Sequence, residues 1–189
     1  MRRRRGATWA LGAAAVVGTV STHTLGAPQA SAGLTLGGAV KDAVGPPSAR
    51  GAFHLGGRAD VLFFRDRGAD MALGPYVDVA TSSFDAIDLG GGATWLLPLR
   101  DDLPLAISAG ALVRQGAGRS WAPGMVSGLF FGSRSYNFHS LYGMAAGFFA
   151  QTRWIPASPA TLDVIAGVQI DAEMLALPVL LLVGALRAN

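Results

Sequence analysis

The chain has 189 residues, of which 51% are hydrophobic and only 14% are charged, and its formal net charge is +3. It has no cysteine, which excludes a disulfide scaffold and thiol-based metal or redox chemistry. Soluble domains carry about 25% charged residues. The chain is highly apolar, yet after its first 32 residues it has no continuous apolar run of about 18 residues. This combination favours a membrane protein built from strands.

The first 32 residues are predicted to be a cleaved secretory signal peptide. Arg2 to Arg5 precede an apolar run over residues 7–20, and a small-x-small cleavage site ends at Ala32. The run is shorter than the ~20 residues of a spanning helix. The leader holds four of the 15 basic residues and none of the 12 acidic ones, which leaves 11 against 12. Since the positive charge belongs to the leader, the sequence does not predict nucleic-acid binding.

Residues 33–51 are predicted to form a Gly/Pro-rich N-terminal arm, because Gly37-Gly38 and Gly45-Pro46-Pro47 interrupt any period. Residues 52–189 are assigned to one β-barrel domain.

Residues 52–64 have the clearest strand pattern in the chain. Apolar residues such as Phe53 and Val61 alternate with polar ones such as His54 and Arg58. A period of two is the side-chain repeat of a strand. Six further strands are predicted, over residues 71–81, 86–97, 103–115, 124–135, 141–154 and 161–171. The alternation is poor over 124–135, where Leu129, Phe130 and Phe131 are consecutive.

Residues 174–186 are apolar throughout and contain Pro178, so they fit either an eighth strand or a short helix covering the barrel rim. The strand is favoured, because an eighth strand would close the barrel and an open strand edge cannot face lipid. The predicted fold class is therefore all-β, a closed antiparallel up-and-down transmembrane β-barrel of eight strands. An even strand number places both termini on the periplasmic side. The connections near residues 65–70, 100–102 and 133–140 and the one near Glu173 should then face outward.

Aromatic residues lie near the strand ends on the apolar faces and are predicted to form the girdles of a membrane barrel. They are Phe53, Phe63, Trp95, Tyr142 and Trp154. Phe53 and Phe63 are ten residues apart, which corresponds to roughly 23 Å along the membrane normal in a tilted strand. The apolar band of such barrels is about 25 Å tall. The alternative is a set of core aromatics in a soluble barrel.

Charged residues on the opposite faces are predicted to form a packed polar network in the lumen. They are Arg58, Asp60, Asp78, Asp88, Arg114, Arg134, Arg153, Asp163 and Asp171. Eight strands leave an interior just wide enough for side chains to fill. A catalytic or ion-conducting role for this cluster is the alternative interpretation.

The only local candidates for catalysis are His139 and Ser140, since a histidine can activate a serine hydroxyl. Adjacent residues on a strand point to opposite faces, so the pair fits a polar loop better than a catalytic site. The three histidines have no metal-ligand spacing, and no phosphate-binding loop is present. No cofactor and no metal site is predicted.

By this alternation over residues 52–186, the chain resembles the small outer-membrane β-barrel proteins of Gram-negative bacteria, the OmpA/OmpX-like class. The resemblance implies a monomer in the outer membrane with a structural or surface-interaction role, and it implies outer-membrane lipids and the barrel-assembly machinery as partners. One alternative is a lipid-modifying enzyme similar to the lipid A deacylases, which use a His-x-Ser pair. Another is a periplasmic ligand-binding barrel.

Overall fold

The computed structural model describes residues 27–43, 49–65, 70–100, 103–116, 120–133, 146–157, 159–172 and 175. Eight strands follow one another in the chain: β1 Gln29–Lys41, β2 Arg50–Leu62, β3 Ala72–Ser82, β4 Ala86–Arg100, β5 Leu103–Gly116, β6 Ala122–Gly132, β7 Ala146–Ile155 and β8 Thr161–Asp171. Each pairs antiparallel with the next, and β8 pairs with β1 to close the barrel. The predicted closed antiparallel barrel of eight strands is confirmed.

No helix within these described residues has the length and apolarity to cross a membrane.

The first strand lies where the sequence predicted an arm. Residues 33–41 belong to β1, and its inward positions carry small side chains, which hides the strand period. Gly37 faces Gly167 across the closing seam, and a Cβ at Gly37 would collide with the carbonyl oxygen of Ala166. The glycine pattern that indicated a turn therefore serves the close approach of two strands. The β1–β8 pairing starts at Gly33, so the predicted cleavage after Ala32 would leave that seam complete.

The prediction that residues 174–186 form the closing strand is wrong. β8 ends at Asp171, and the strand that closes the sheet is β1. Within that segment, only Leu175 is among the described residues. The error has one cause. Because the strand at residues 29–41 was missed, only seven strands were counted, and residues 174–186 were assigned as the eighth.

The added first strand also reverses the predicted sides of the connections. β1 begins and β8 ends at the same end of the barrel, which we call the terminal end. β2, β4 and β6 end here and β3, β5 and β7 begin here, so the connections after β2, β4 and β6 start at this end, not opposite the termini as expected. The opposite end, called the far end, is where β1, β3, β5 and β7 end.

Strand stagger fixes how the interior is built. Following register partners once around the barrel from Ala72 on β3 returns to β3 at Ser82, ten residues further along. The strands therefore tilt strongly relative to the barrel axis. Along each strand buried and exposed residues alternate, as in the regular buried–exposed pattern of β3. One face of every strand points into a narrow interior, and the other points away from it.

Candidate functional site: the charged barrel interior

The structure places most of the sequence-predicted lumen residues inside the barrel. Seven are buried and Arg114 is partly buried; the seven are Arg58, Asp60, Asp78, Asp88, Arg153, Asp163 and Asp171. Arg134 lies outside the described residues. The alternation of β2, β3, β4, β5, β7 and β8 brings these side chains together although they are far apart in sequence.

Five of these residues form an alternating chain of ion pairs, which we call the ionic chain. Its order is Asp78, Arg153, Asp88, Arg114 and Asp163. Every link joins atoms between 2.6 and 2.9 Å apart. Each arginine binds two carboxylates, and Asp88 binds both arginines. Charges buried in this way are tolerated because each has close partners of opposite sign.

Arg153 crosses the interior from β7 to β3 and β4. Its guanidinium donates from Nη1 to Asp88 Oδ2 at 2.6 Å and from Nη2 to Asp78 Oδ2 at 2.9 Å. Arg153 is on β7 and Asp78 is on β3, so four steps around an eight-stranded barrel separate their strands. The partner directly opposite Arg153 in register is Asp163, yet its two ion pairs reach across the barrel. The side chain of Arg153 is 1% exposed.

Arg114 completes the ionic chain and also spans the interior, because it joins Asp88 on β4 to Asp163 on β8. Its Nε and Nη2 donate to the two carboxylate oxygens of Asp88 at 2.6 and 2.8 Å, which is the fork geometry that arginine forms with a carboxylate. Its Nη2 also lies 2.7 Å from Asp163 Oδ2. The other oxygen of Asp163 accepts the backbone N–H of Asp42 at 3.2 Å. The ionic chain therefore also holds the turn that follows β1.

Arg58 forms a second group nearer the terminal end, which we call the Arg58 group. Its guanidinium donates to the hydroxyls of Thr94 at 2.6 Å and Ser108 at 3.2 Å. It stacks on the ring of Tyr76, 4.0 Å from the centroid, and its Nε lies 3.6 Å from Asp60. Here hydroxyls and an aromatic face replace most of the carboxylates of the ionic chain.

His54 is a lumen residue that sequence reasoning noted on the polar face but did not select. It is fully buried, lies 3.2 Å from the Thr35 hydroxyl through Nε2, and faces the Phe149 ring at 5.6 Å between centroids. Its even position among alternating residues of β2 was the available signal. Tyr76 was noted in the same way, and nothing in the sequence indicated its stacking with Arg58.

Inward glycines make room for the large interior side chains. A Cβ at Gly90 would collide with Asp78 Oδ1, and a Cβ at Gly147 would lie 2.5 Å from the Phe130 ring. The positions without side chains are therefore occupied by the ends of neighbouring side chains.

The outward face has the opposite composition. Large apolar side chains are exposed along every strand, for example Val77 at 62% and Phe148 at 71%. Among the described strand residues, no outward position carries a charged side chain. Four predicted girdle residues are exposed on this face: Phe53, Phe63, Trp95 and Trp154. Tyr142 lies outside the described residues.

The few hydroxyls on the outward face of the described strands are all hydrogen-bonded. Thr81 Oγ1 donates to the carbonyl oxygen of Ala86 at 2.8 Å. The hydroxyls of Ser127 and Thr152, opposite each other in register, lie 2.8 Å apart. Exposed hydroxyls in water need no such partner, whereas hydroxyls in an apolar medium do.

His139 and Ser140 lie outside the described residues, so the structure does not test their geometry. Among the residues that are described, no group of three or more potential metal ligands comes together.

No protein-family model matches the chain, and no curated protein matches it in sequence.

Proposed function

We propose that this chain is an integral outer-membrane β-barrel whose lumen is filled by its own polar side chains, with a structural or surface-interaction role. The observation that carries the proposal is the inverted distribution of polarity: paired charges lie inside and an uncharged apolar belt lies outside. Monomeric soluble proteins rarely expose apolar patches beyond a few hundred Å². In a membrane barrel the same belt faces lipid.

The height of the outer belt supports a bilayer environment. Phe63 and Trp95 lie toward the terminal end, and Phe53 and Trp154 lie toward the far end. Ten residues of tilted strand separate Phe53 from Phe63, which spans roughly 23 Å. Aromatic residues at both edges of a band about 25 Å tall are typical of such barrels.

Hydrogen bonding on the outward face also supports a bilayer environment. The outward hydroxyls of Thr81, Ser127 and Thr152 are satisfied within the sheet, as lipid requires and water does not. The leader predicted over residues 1–32 supplies the export that a location in the outer membrane needs.

The interior argues against a periplasmic ligand-binding barrel. Such a barrel would enclose an apolar cavity and expose its polar face to water. Here the enclosed face carries the ionic chain, and Arg153 crosses the space that a ligand would occupy.

Membrane fractionation combined with heat-dependent gel mobility tests the proposal. We expect the protein in the outer-membrane fraction and a compact, faster-migrating species in detergent until the sample is boiled. Recovery in the soluble periplasmic fraction without a mobility shift would contradict it. We also expect no stable single-channel current from the wild-type protein in planar bilayers.

Lipid analysis of the same cells distinguishes the enzyme alternative. We expect His139→Ala and Ser140→Ala to leave the membrane lipid profile unchanged, because the adjacent pair lacks the His-x-Ser spacing. A lipid product that is lost in either variant would make a lipid-modifying enzyme the better assignment.

A further inference from the structure

A groove crosses the outer wall of the barrel from β1 to β4. Its volume is about 520 Å³, and its lining comes from these four strands and from Ala172, the residue that follows β8. It follows the register partners Leu34, Gly57, Val79 and Leu89, which lie side by side on neighbouring strands. Because the strands are tilted, this row rises from the terminal end, where β8 ends, toward the far end, where β4 begins.

The floor of the groove is on β2. Its outward residues there are Gly57 and Ala59, which have little or no side chain. Larger apolar side chains stand on both sides, Leu34 on β1 and Val77 and Val79 on β3. The groove is therefore a depression in the apolar belt, lined by carbon on both flanks.

The packing of the sheet does not require the missing side chain at Gly57. A Cβ at Gly57 would lie 3.7 Å from Val79 Cγ1, which is ordinary contact, whereas a Cβ at Gly37 would collide with the carbonyl oxygen of Ala166. The glycine at position 57 thus adds depth on the outer surface, where an occupant from outside the sheet can use it.

The segment that follows Ala172 is apolar throughout. Residues 174–186 are thirteen residues, none with a polar or charged side chain. Leu175, the one residue of this run that the structure describes, is 44% exposed. Since Ala172 is part of the groove lining, the apolar run starts at the edge of the groove.

The chemistry of this run favours the barrel wall over other surroundings. Exposure to water is unfavourable by about 25 cal/mol for each Å² of apolar surface. Thirteen residues are fewer than the ~20 of a spanning helix, and Pro178 interrupts helical hydrogen bonding. Backbone groups freed by a proline in the hydrocarbon layer need partners from protein, because lipid offers none. Without a polar face, the run also lacks the pattern of an interfacial helix.

The length of the run matches the groove. Four neighbouring strands span about 14 Å at the usual strand spacing. Residues 176–186 reach about 16 Å even at the short rise of a helix, 1.5 Å per residue. A segment that leaves β8 and reaches the floor on β2 must also pass outside β1, and therefore over the β8–β1 seam.

We propose that residues 174–186 lie in this groove and cover the outer wall of β1–β4. The inference rests on the proposed membrane barrel, and it goes beyond it by assigning an occupant to one part of the lipid-facing surface. The chain's own C-terminal segment takes the place of lipid there and covers the seam that closes the barrel.

Photo-crosslinking in intact outer membranes tests the proposal. In three separate full-length variants, p-benzoylphenylalanine replaces Leu177, Leu180 or Val183. After irradiation and peptide mapping, we expect at least one variant to be joined within its own chain to a peptide containing residues 57–59 or 77–79. Adducts with lipid alone, with a second copy or with β5–β7 would overturn the proposal, and so would the lack of any adduct in all three variants.

Filling the groove provides the second measurement. Gly57→Leu with Ala59→Leu adds bulk to the floor and should lower the yield of that crosslink at least tenfold. The matched control is Ala109→Leu with Ala111→Leu, which adds bulk to outward positions of β5 and should change the yield less than twofold. Ala59→Phe alone is the alternative filling variant if the leucine pair does not fold.

An unchanged crosslink in a folded, filled variant would also overturn the proposal. Failure of the proposed function is distinguishable from this result, because the same samples would then lack outer-membrane recovery and the heat-dependent mobility shift. If both are present and the crosslinks map elsewhere, only the placement of residues 174–186 is wrong.

Discussion

Two neighbouring residues on β3 show how the inner and outer faces of the barrel differ in polarity. Asp78 is buried and accepts a hydrogen bond from Arg153, whereas Val77, one residue earlier, is 62% exposed on the outside. The inner face concentrates charge and satisfies it by reaching across strands. The outer face excludes charge and satisfies its few hydroxyls within the sheet. A soluble barrel shows the reverse arrangement, so the position of the charges on the inner face supports the proposed lipid environment.

The inner face should be most sensitive at Arg153. Arg153→Ala removes the shared partner of two carboxylates, and we expect the free energy of unfolding in detergent or lipid to fall by about 3–5 kcal/mol. Arg50→Ala is the control, because Arg50 is exposed at the start of β2, and it should cost no more than about 1 kcal/mol. Equal losses of unfolding free energy for the two variants would show that the ionic chain contributes no more to stability than an arginine at the rim does.

The outer face should be most sensitive at Val77, in the middle of β3. In a bilayer, Val77→Arg should cost about 2–4 kcal/mol and reduce insertion, because arginine at the midplane of a barrel's lipid face is poorly solvated. Phe84→Arg is the control, since Phe84 is 75% exposed in the turn between β3 and β4, and it should cost about 0–1 kcal/mol. Normal insertion of Val77→Arg would mean that this face does not contact lipid.

A smaller effect is expected for the hydroxyl pair on the outer face. Thr152→Val leaves the Ser127 hydroxyl without its partner and should cost about 1 kcal/mol in lipid. Thr152→Val combined with Ser127→Ala removes both hydroxyls and should be close to neutral. Unfolding titrations of the single and double variants in the same lipid provide the comparison. A double variant less stable than Thr152→Val would contradict the lipid-facing assignment of this pair.

The smallest expected effect is a gain in stability, and it comes from Tyr76 on the inner face. The Tyr76 hydroxyl is buried and has no hydrogen-bond partner, and its ring packs with Leu112, Val126 and Ile155. Tyr76→Phe removes an unsatisfied polar atom while keeping the ring under Arg58, so we expect an unchanged or slightly higher stability, by up to about 1 kcal/mol. A loss of stability on thermal unfolding would indicate a partner for this hydroxyl.

Much of this comparison could be predicted from the sequence, because the period of two assigns residues to faces before the fold is known. It identified seven of the eight strands and the interior position of residues such as Arg58 and Asp163. It missed β1, whose inward positions from Ser31 to Ala39 carry small side chains without charge and whose glycines resemble a turn signal. That omission then misplaced the closing strand and the sides of the connections.

The pairing inside the barrel could not be predicted. Register opposes Arg58 to Asp78 and Arg153 to Asp163, yet Arg153 bonds Asp78 across the lumen. Which carboxylate an arginine selects depends on strand stagger and on the room left by glycines such as Gly90, and neither has a local sequence signal.

The ionic chain also bears on the order in which the barrel forms. Arg153 binds partners 65 and 75 residues earlier in the chain, and Asp163 accepts a hydrogen bond from a residue 121 positions earlier. Contacts between residues so distant in sequence form late and make folding slow. We therefore expect the carboxylates of the ionic chain to stay hydrated until these distant strands meet, so that burial of Arg153 is a late step in forming the barrel.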